Sequence, residues 1–256
     1  MTAQAVFIAG TDTDVGKTVI TAGLAMALLA AGHRVCVYKP VQTGTDDLTQ
    51  PVDPVSVVNW LTPENRLAHP ADTLLENLET TCSYVFHEPV APWVADPDGT
   101  IRLEKLVADF QDLQQRFDWV LVEGAGGLRV PVTAHHDTLD VIEALSLSTL
   151  LVARPNLGTI NHTLLSVDAL AQRNLDCLGV VVSNMPEAEQ LALNPDLAVS
   201  SLADVFAQWL SVPVLGWIPN IPLDAPYDIR KQAFLNAFAP WVKALPLRLQ
   251  GQRILA

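Results

Sequence analysis

The sequence predicts an α/β fold, a three-layer α/β/α sandwich around a mostly parallel sheet. Two observations carry this: apolar runs of strand length alternate with helical stretches, and the first strand runs into a phosphate-binding loop. Near-continuous hydrophobicity within each strand says that both of its faces are buried, as in a parallel sheet covered by helices on both sides. The alternation implies right-handed crossovers. Half of the 256 residues are hydrophobic, enough for a large core.

The first strand, Val6–Ala9, leads into Gly10-Thr11-Asp12-Thr13-Asp14-Val15-Gly16-Lys17-Thr18, and the helical stretch Lys17–Ala31 follows at once. Backbone N–H groups across Asp14, Val15 and Gly16, and those at the helix start through Val19, present partial positive charge to a phosphate, and Lys17 adds a full one. Thr18 would offer its hydroxyl to a magnesium ion bridging the phosphates. Strict spacing from Gly16 puts the first glycine of such a loop at Thr11, with Gly10 one residue early. The loop makes the predicted fold P-loop NTPase-like.

The second strand, Val35–Tyr38, is followed by Lys39-Pro40, where the proline is expected to stop the ladder and Gly44 to permit a turn. Lys39 is thereby set at the sheet's active edge; a lysine snorkelling from a strand end is the alternative. A helix over Pro54–Leu61 comes next, with Asp53 either its N-cap or a metal ligand. The helix Leu103–Phe117 precedes the strand Trp119–Val122, which runs into Glu123-Gly124-Ala125-Gly126-Gly127. A carboxylate closing a buried strand beside a phosphate loop is placed to take magnesium or its bound water. A glycine turn with an exposed glutamate is the bland alternative.

Helices over Asp137–Leu145, Ile160–Arg173, Leu202–Leu210 and Ile229–Ala244 and strands over Thr149–Ala153, Leu178–Ser183 and Val214–Ile218 complete the alternation. Asn184, just past its strand, either reads a base edge or makes a turn before Pro186. Gly158, Thr159, Ile160 and Asn161 open a helix, so their free N–H groups form an anion site or an ordinary helix start. Ligands in such sheets sit beyond the strands' C-terminal ends. The segments Thr45–Asp53 and Glu88–Asp98 read as functional loops or excursions. The expectation is a single domain over residues 1–256, with an extension from about residue 223 of unknown role.

The formal net charge of −13 argues against nucleic acid or an acidic membrane surface as partner. Cys36, Cys82 and Cys177 form no metal-spaced pair and read as reduced, packed thiols of a cytoplasmic protein. No basic leader precedes the strand-like sequence at Ala5, and the apolar run Val19–Ala31 is too short to span a bilayer. His135 and His136, in a polar loop, read as solvated.

These ordered motifs resemble those of the dethiobiotin synthase family, the ATP-dependent cyclo-ligases of biotin synthesis. The resemblance runs to about Ile221. It rests on the loop Gly10 to Thr18, on Tyr38-Lys39-Pro40, on Asp118 to Gly127, on Leu157-Gly158-Thr159-Ile160-Asn161-His162 and on Gly216-Trp217-Ile218-Pro219. It implies a homodimer whose substrates are 7,8-diaminopelargonic acid, CO₂ and ATP with magnesium. One amine becomes a carbamate, ATP phosphorylates it, and the second amine closes a cyclic urea. By the resemblance Lys17 contacts the phosphates, Lys39 the carbamate and γ-phosphate, and Thr18, Asp53 and Glu123 hold magnesium. Gly124, Ala125 and Gly126 line the nucleotide, Thr43 binds substrate, and Asn184 and Met185 read adenine beside Pro219, Asn220 and Ile221. The partner chain's Gly158–Asn161 would hold the substrate carboxylate.

The chain departs from the family pattern at Ala91 and Trp93, where relatives often have serine and histidine, and at Arg129, where an aromatic pair is common. A regulatory or partitioning P-loop ATPase acting with a protein partner is the alternative. Such proteins usually carry an extra lysine near the start of the loop, where this chain has Thr11 and Asp12. An amidotransferase-type synthetase would need a glutaminase domain, for which no motif is present.

Overall fold

In a computed structural model, described for residues 3–63, 74–185 and 201–249, strands and helices alternate as the sequence predicts. The strands are β1 (Gln4–Gly10), β2 (Val35–Gln42), β3 (Leu78–Val85), β4 (Trp119–Gly127), β5 (Thr149–Ala153), β6 (Cys177–Met185) and β7 (Val214–Pro219). They form one parallel sheet in the order β3-β2-β4-β1-β5-β6-β7. The helices are α1 (Lys17–Ala30), α2 (Val52–Leu61), α3 (Pro92–Ala95), α4 (Leu103–Arg116), α5 (Thr138–Leu145), α6 (Thr159–Gln172), α7 (Leu202–Trp209) and α8 (Tyr227–Leu249).

Side chains of β1 alternate between two cores. Val6 and Ile8 pack with α1, α2 and α8 on one face, while Phe7 and Ala9 pack with α4, α5, α6 and α7 on the other. That double burial is why the strand carries no polar alternation. α1 is buried along nearly its whole length, because the sheet lies on one side and α8 on the other. Gly23 lets the Phe238 ring of α8 lie directly on the α1 backbone: a Cβ built there would fall 2.1 Å from the ring. The surface helix α4 instead buries only Leu106, Phe110 and Leu113, one stripe at helical spacing. α5 opens on a capping box in which Asp137 accepts from the Asp140 N–H and Asp140 accepts from the Asp137 N–H.

Several local expectations change. Pro40 does not end β2, which continues to Gln42. The pairing with β4 stops at Tyr38, and the β3 register passes from Lys39 to Val41, so no partner is assigned to Pro40. β4 does not stop at Val122 but carries Glu123 to Gly127 within the strand, which rules out an exposed glutamate on a glycine turn. β3 is an additional strand, at the sheet edge. α2 begins at Val52 with Pro51 as N-cap, so Asp53 lies in the first turn and is not the cap. Asn184 lies within β6 with a left-handed φ of 56° and not in a turn beyond it; Pro186 falls outside the described residues. No helix among the described residues is long and apolar enough to cross a membrane.

Candidate nucleotide and substrate site

The loop between β1 and α1 turns on two left-handed residues, Asp14 (φ 56°) and Gly16 (φ 95°), and Gly16 is the N-cap of α1. Such a conformation turns successive N–H groups toward one point, and the first amides of α1 have no helical acceptor of their own. Gly16 has a second reason to be glycine, since a Cβ there would lie 2.4 Å from the Ser183 hydroxyl under the loop. Lys17 curls back over the loop and donates to the Asp12 carbonyl at 3.0 Å. Burial pulls its pKa down to about 8, and the Lys39 ammonium adds to that.

Four chain segments converge beside it. The Thr18 hydroxyl donates to Glu123 Oε1 at 2.9 Å. Lys39 Nζ reaches the same oxygen at 3.0 Å, Asp53 Oδ2 at 2.5 Å and the Gly124 carbonyl at 3.1 Å. Burial alone would lower the pKa of Lys39, but the charges of Glu123 and Asp53 more than offset it and leave it raised. Glu123 is only 1 % exposed, and its other oxygen, Oε2, is buried with no hydrogen-bond partner. An orphaned carboxylate oxygen beside a threonine hydroxyl is a hard-oxygen donor set of the kind that magnesium takes together with phosphate oxygens. No group of three or more His, Cys, Asp or Glu side chains among the described residues forms a dedicated metal cluster. The donor set therefore fits a cation completed by a phosphorylated ligand, and not an all-protein cage.

These groups face a cavity of about 820 Å³. Asp14, Gly16, Lys17, Thr18 and Val19 line it from the loop and α1, Lys39 from β2, Thr43 from just past β2, and Asp53 from α2. Glu123, Ala125 and Gly126 line it from β4, and Asn184 from β6. The remaining candidates lie elsewhere. Val15 is buried in the core, and Gly124 lies against the Phe7 ring. Met185 pairs with Pro219 in the sheet next to Asn184, while the Ile221 side chain is packed in the core and Asn220 is exposed. Gly158 caps α6 with φ 90°, and Thr159, Ile160 and Asn161 begin that helix, away from the cavity wall. His135 is exposed, and His136 Nδ1 lies 2.9 Å from the Thr133 hydroxyl.

Several cavity residues lay beyond the sequence reading, among them Gln42, Val52, Trp60 and Val130. Gln42 is buried, accepts the Asp53 N–H through Oε1 at 3.2 Å and donates from Nε2 to the Thr43 carbonyl at 2.8 Å. Its place directly before Thr43 was the signal available. Trp60 and Val52 enter from α2, which no motif marks. The excursion Glu88–Asp98 contributes Pro89, Val90, Ala91 and Pro92 to the wall, whereas Trp93 is half exposed outside it. Arg129 is exposed and pairs with Asp137 at 2.7 Å.

Solved structures share this architecture. A chain of the MinC:MinD cell division protein complex of Aquifex aeolicus superposes with a TM-score of 0.60 over 99 % of this chain and 98 % of its own, at 14 % identity. Cobyrinic acid a,c-diamide synthase from Mycobacterium smegmatis, with bound ADP and magnesium, superposes with a TM-score of 0.57 over 98 % and 97 %, at 15 % identity. At such identities the likeness establishes the fold alone. Closer relatives are found by sequence. An AAA domain family model matches residues 4–226. The ATP-dependent dethiobiotin synthetase BioD of Bacillus licheniformis is 35 % identical over 225 residues, covering 87 % of this chain and 88 % of its own. That of Anaeromyxobacter is 39 % identical over 196 residues, covering 75 % and 82 %. With a buried lysine–carboxylate cluster facing a phosphate loop, and with that identity over most of its length, the chain belongs to the dethiobiotin synthetase family.

Proposed function

We propose that the protein is an ATP-dependent dethiobiotin synthase. It carboxylates one amine of 7,8-diaminopelargonic acid with CO₂ and closes the product to a cyclic urea. The observation that carries this reading is the convergence of two lysines, Lys17 and Lys39, on one cavity, with Lys39 kept charged by Glu123 and Asp53.

The free amine nitrogen attacks CO₂ and loses a proton, giving a carbamate. A carbamate oxygen then attacks the γ-phosphorus, and the bond to ADP breaks. The second amine attacks the carbonyl carbon of the carbamic-phosphoric anhydride, and phosphate leaves as the ring closes. Each step places negative charge on oxygen, which preorganised ammonium groups stabilise. Lys39 serves the carbamate and the transferring phosphoryl group, Lys17 the nucleotide phosphates, and Thr43 the substrate. Amides from Asp14 to Val19 hold the phosphates, with Gly124 to Gly126 alongside, and Asn184, Met185 and Pro219 to Ile221 hold the adenine. Thr18, Asp53 and Glu123 would hold magnesium, which when bound screens the phosphate charge.

The substrate carboxylate is taken by Gly158 to Asn161 of a second copy in a homodimer. The N–H groups of Ile160 and Asn161 in the first turn of α6 support this, while the Thr159 N–H is taken by the Asn156 carbonyl at 3.0 Å. Leu157 beside them is 93 % exposed.

The test is ATP turnover by the purified protein with and without a vicinal diamine and bicarbonate. Strict dependence on both is expected, and Lys17→Ala should cut turnover roughly 10²-fold or more without unfolding the protein. Turnover that ignores the diamine and needs a protein or DNA partner would select the regulatory ATPase instead. Mixing inactive Lys17→Ala with inactive Gly158→Asp chains should restore about a quarter of the sites if dimers exchange at random. Confirmed exchange without recovery removes the shared site.

A further inference from the structure

α2 carries Asp53 to Lys39, and it is held at both ends by side chains outside the lysine–carboxylate cluster. At its start, Gln42 accepts the Asp53 N–H. At its end, Arg230 of α8 donates from Nε to the Trp60 carbonyl at 3.2 Å and from Nη2 to the Thr62 carbonyl at 3.1 Å. Its remaining nitrogen, Nη1, donates to the Ala225 carbonyl at 2.5 Å, on the segment that leads into α8. Arg230 is 5 % exposed. Carbonyls at a helix end lack intrahelical donors and form the negative pole of the helix, so a guanidinium there satisfies both demands. A planar fork used on three carbonyls fixes direction as well as distance.

α8 is itself fixed. Phe234 and Phe238 are fully buried, and Phe238 lies on Gly23 of α1, the helix that begins at Lys17 and Thr18. One helix therefore braces both the arm that ends in Asp53 and the helix that starts at the phosphate loop.

We propose that Arg230 is a positioning residue which, through α2, sets Asp53 against Lys39 and so gives the C-terminal helix a part in the active site. This rests on the reading of the site given above. It concerns a residue beyond 226, where the matched family model ends.

A double-mutant cycle tests it. Affinity for magnesium with a non-hydrolysable ATP analogue is measured by calorimetry in the wild type, Arg230→Met, Asp53→Asn and the double variant, and turnover is measured on the same four. Arg230→Met should weaken that affinity about tenfold and lower turnover roughly 10- to 100-fold. In the Asp53→Asn background the same substitution should change the affinity by less than about twofold. Equal losses in both backgrounds, or no loss in either, overturn the proposal. Arg230→Lys, which keeps the charge but not the fork, should fall between the two and takes the place of Arg230→Met in the cycle if that chain does not fold. A wild type without diamine-dependent turnover would refute the reading of the site, while the affinity cycle still decides the role of Arg230.

Discussion

The hydroxyl of Thr18 donates to Glu123 Oε1 at 2.9 Å, joining the first turn of α1 to β4 across 105 residues of chain. The same oxygen accepts from Lys39, so one carboxylate oxygen organises loop and lysine, while the other is left without a partner. Glu123→Gln keeps the shape and an acceptor but removes the charge. The half-saturating magnesium concentration in turnover should rise roughly 10- to 100-fold. An unchanged magnesium dependence would take Glu123 out of the metal site.

Gly23→Ala sets two effects against each other. Alanine favours a helix interior over glycine by about 1 kcal/mol, yet its methyl would overlap the buried Phe238 ring. Overpacking costs about 1–3 kcal/mol, so a net loss of stability is expected in chemical denaturation. Adding Phe238→Leu should recover part of it. A stabilised Gly23→Ala would mean that α8 does not seat on α1 in this way.

Asp96 organises the loop after α3. Its carboxylate accepts from the Thr100 N–H and hydroxyl, each at 2.8 Å, and from the Ile101 N–H at 2.7 Å. Burial would raise its pKa, but these donors more than offset it and leave it lowered. A lowered native pKa adds stability above the unfolded value, which is lost as the pH falls through the native one. Asp96→Asn should therefore cost about 1–3 kcal/mol near neutrality. The difference from wild type should hold from about pH 8 to pH 5 and narrow only below about pH 4. Denaturation curves across that range check it, and a difference already closing at pH 6 would contradict it.

The three free cysteines should be slow nucleophiles. Burial pushes Cys82 up to about 12 and Cys177 up to about 11, and raises Cys36 as well. Iodoacetamide at pH 8 should label the native protein roughly 100-fold more slowly than the unfolded chain, because the thiolate is the reacting species. Mass spectrometry of labelled peptides reads this. One cysteine labelled at the unfolded rate would mark an opening of the surrounding core.

Six strands were legible because each reads as an apolar run. β1, β2, β4, β5 and β6 are buried for most of their length, whereas β7, at the other sheet edge, is only partly buried and was legible from its apolar residues alone. β3, Leu78-Glu79-Thr80-Thr81-Cys82-Ser83-Tyr84-Val85, was not. It is an edge strand paired only with β2 and half-buried throughout, so nothing forces apolar residues on it. The site was legible where backbone chemistry dictates residue type, at the phosphate loop and at Lys39 and Glu123. Trp60, Gln42 and Arg230 were not, because their roles depend on how α2 packs, and no local pattern in the sequence encodes that packing. Asp53 was read as either an N-cap or a metal ligand, the cap from its proline neighbour; Pro51 lies two residues earlier and is the N-cap the helix takes.

β1 precedes the other described strands, yet its neighbours in the sheet are β4 and β5, with Gln4 beside Trp119 and Phe7 beside Thr149. On a ribosome adding about 5–20 residues per second, the apolar strand Ala5–Ala9 is made roughly 10 s before either neighbour exists. In that interval α1 can cover only the Val6 and Ile8 face, and β2, the next strand made, pairs with β4 and β3 and not with β1, so the strand's two edges and its Phe7 and Ala9 face stay open. The central strand of the finished sheet thus precedes the other described strands in the chain and waits for β4 and β5 before both of its edges are paired. Nascent chains shorter than about residue 127 should bind chaperones through this segment, and release should coincide with the emergence of β4.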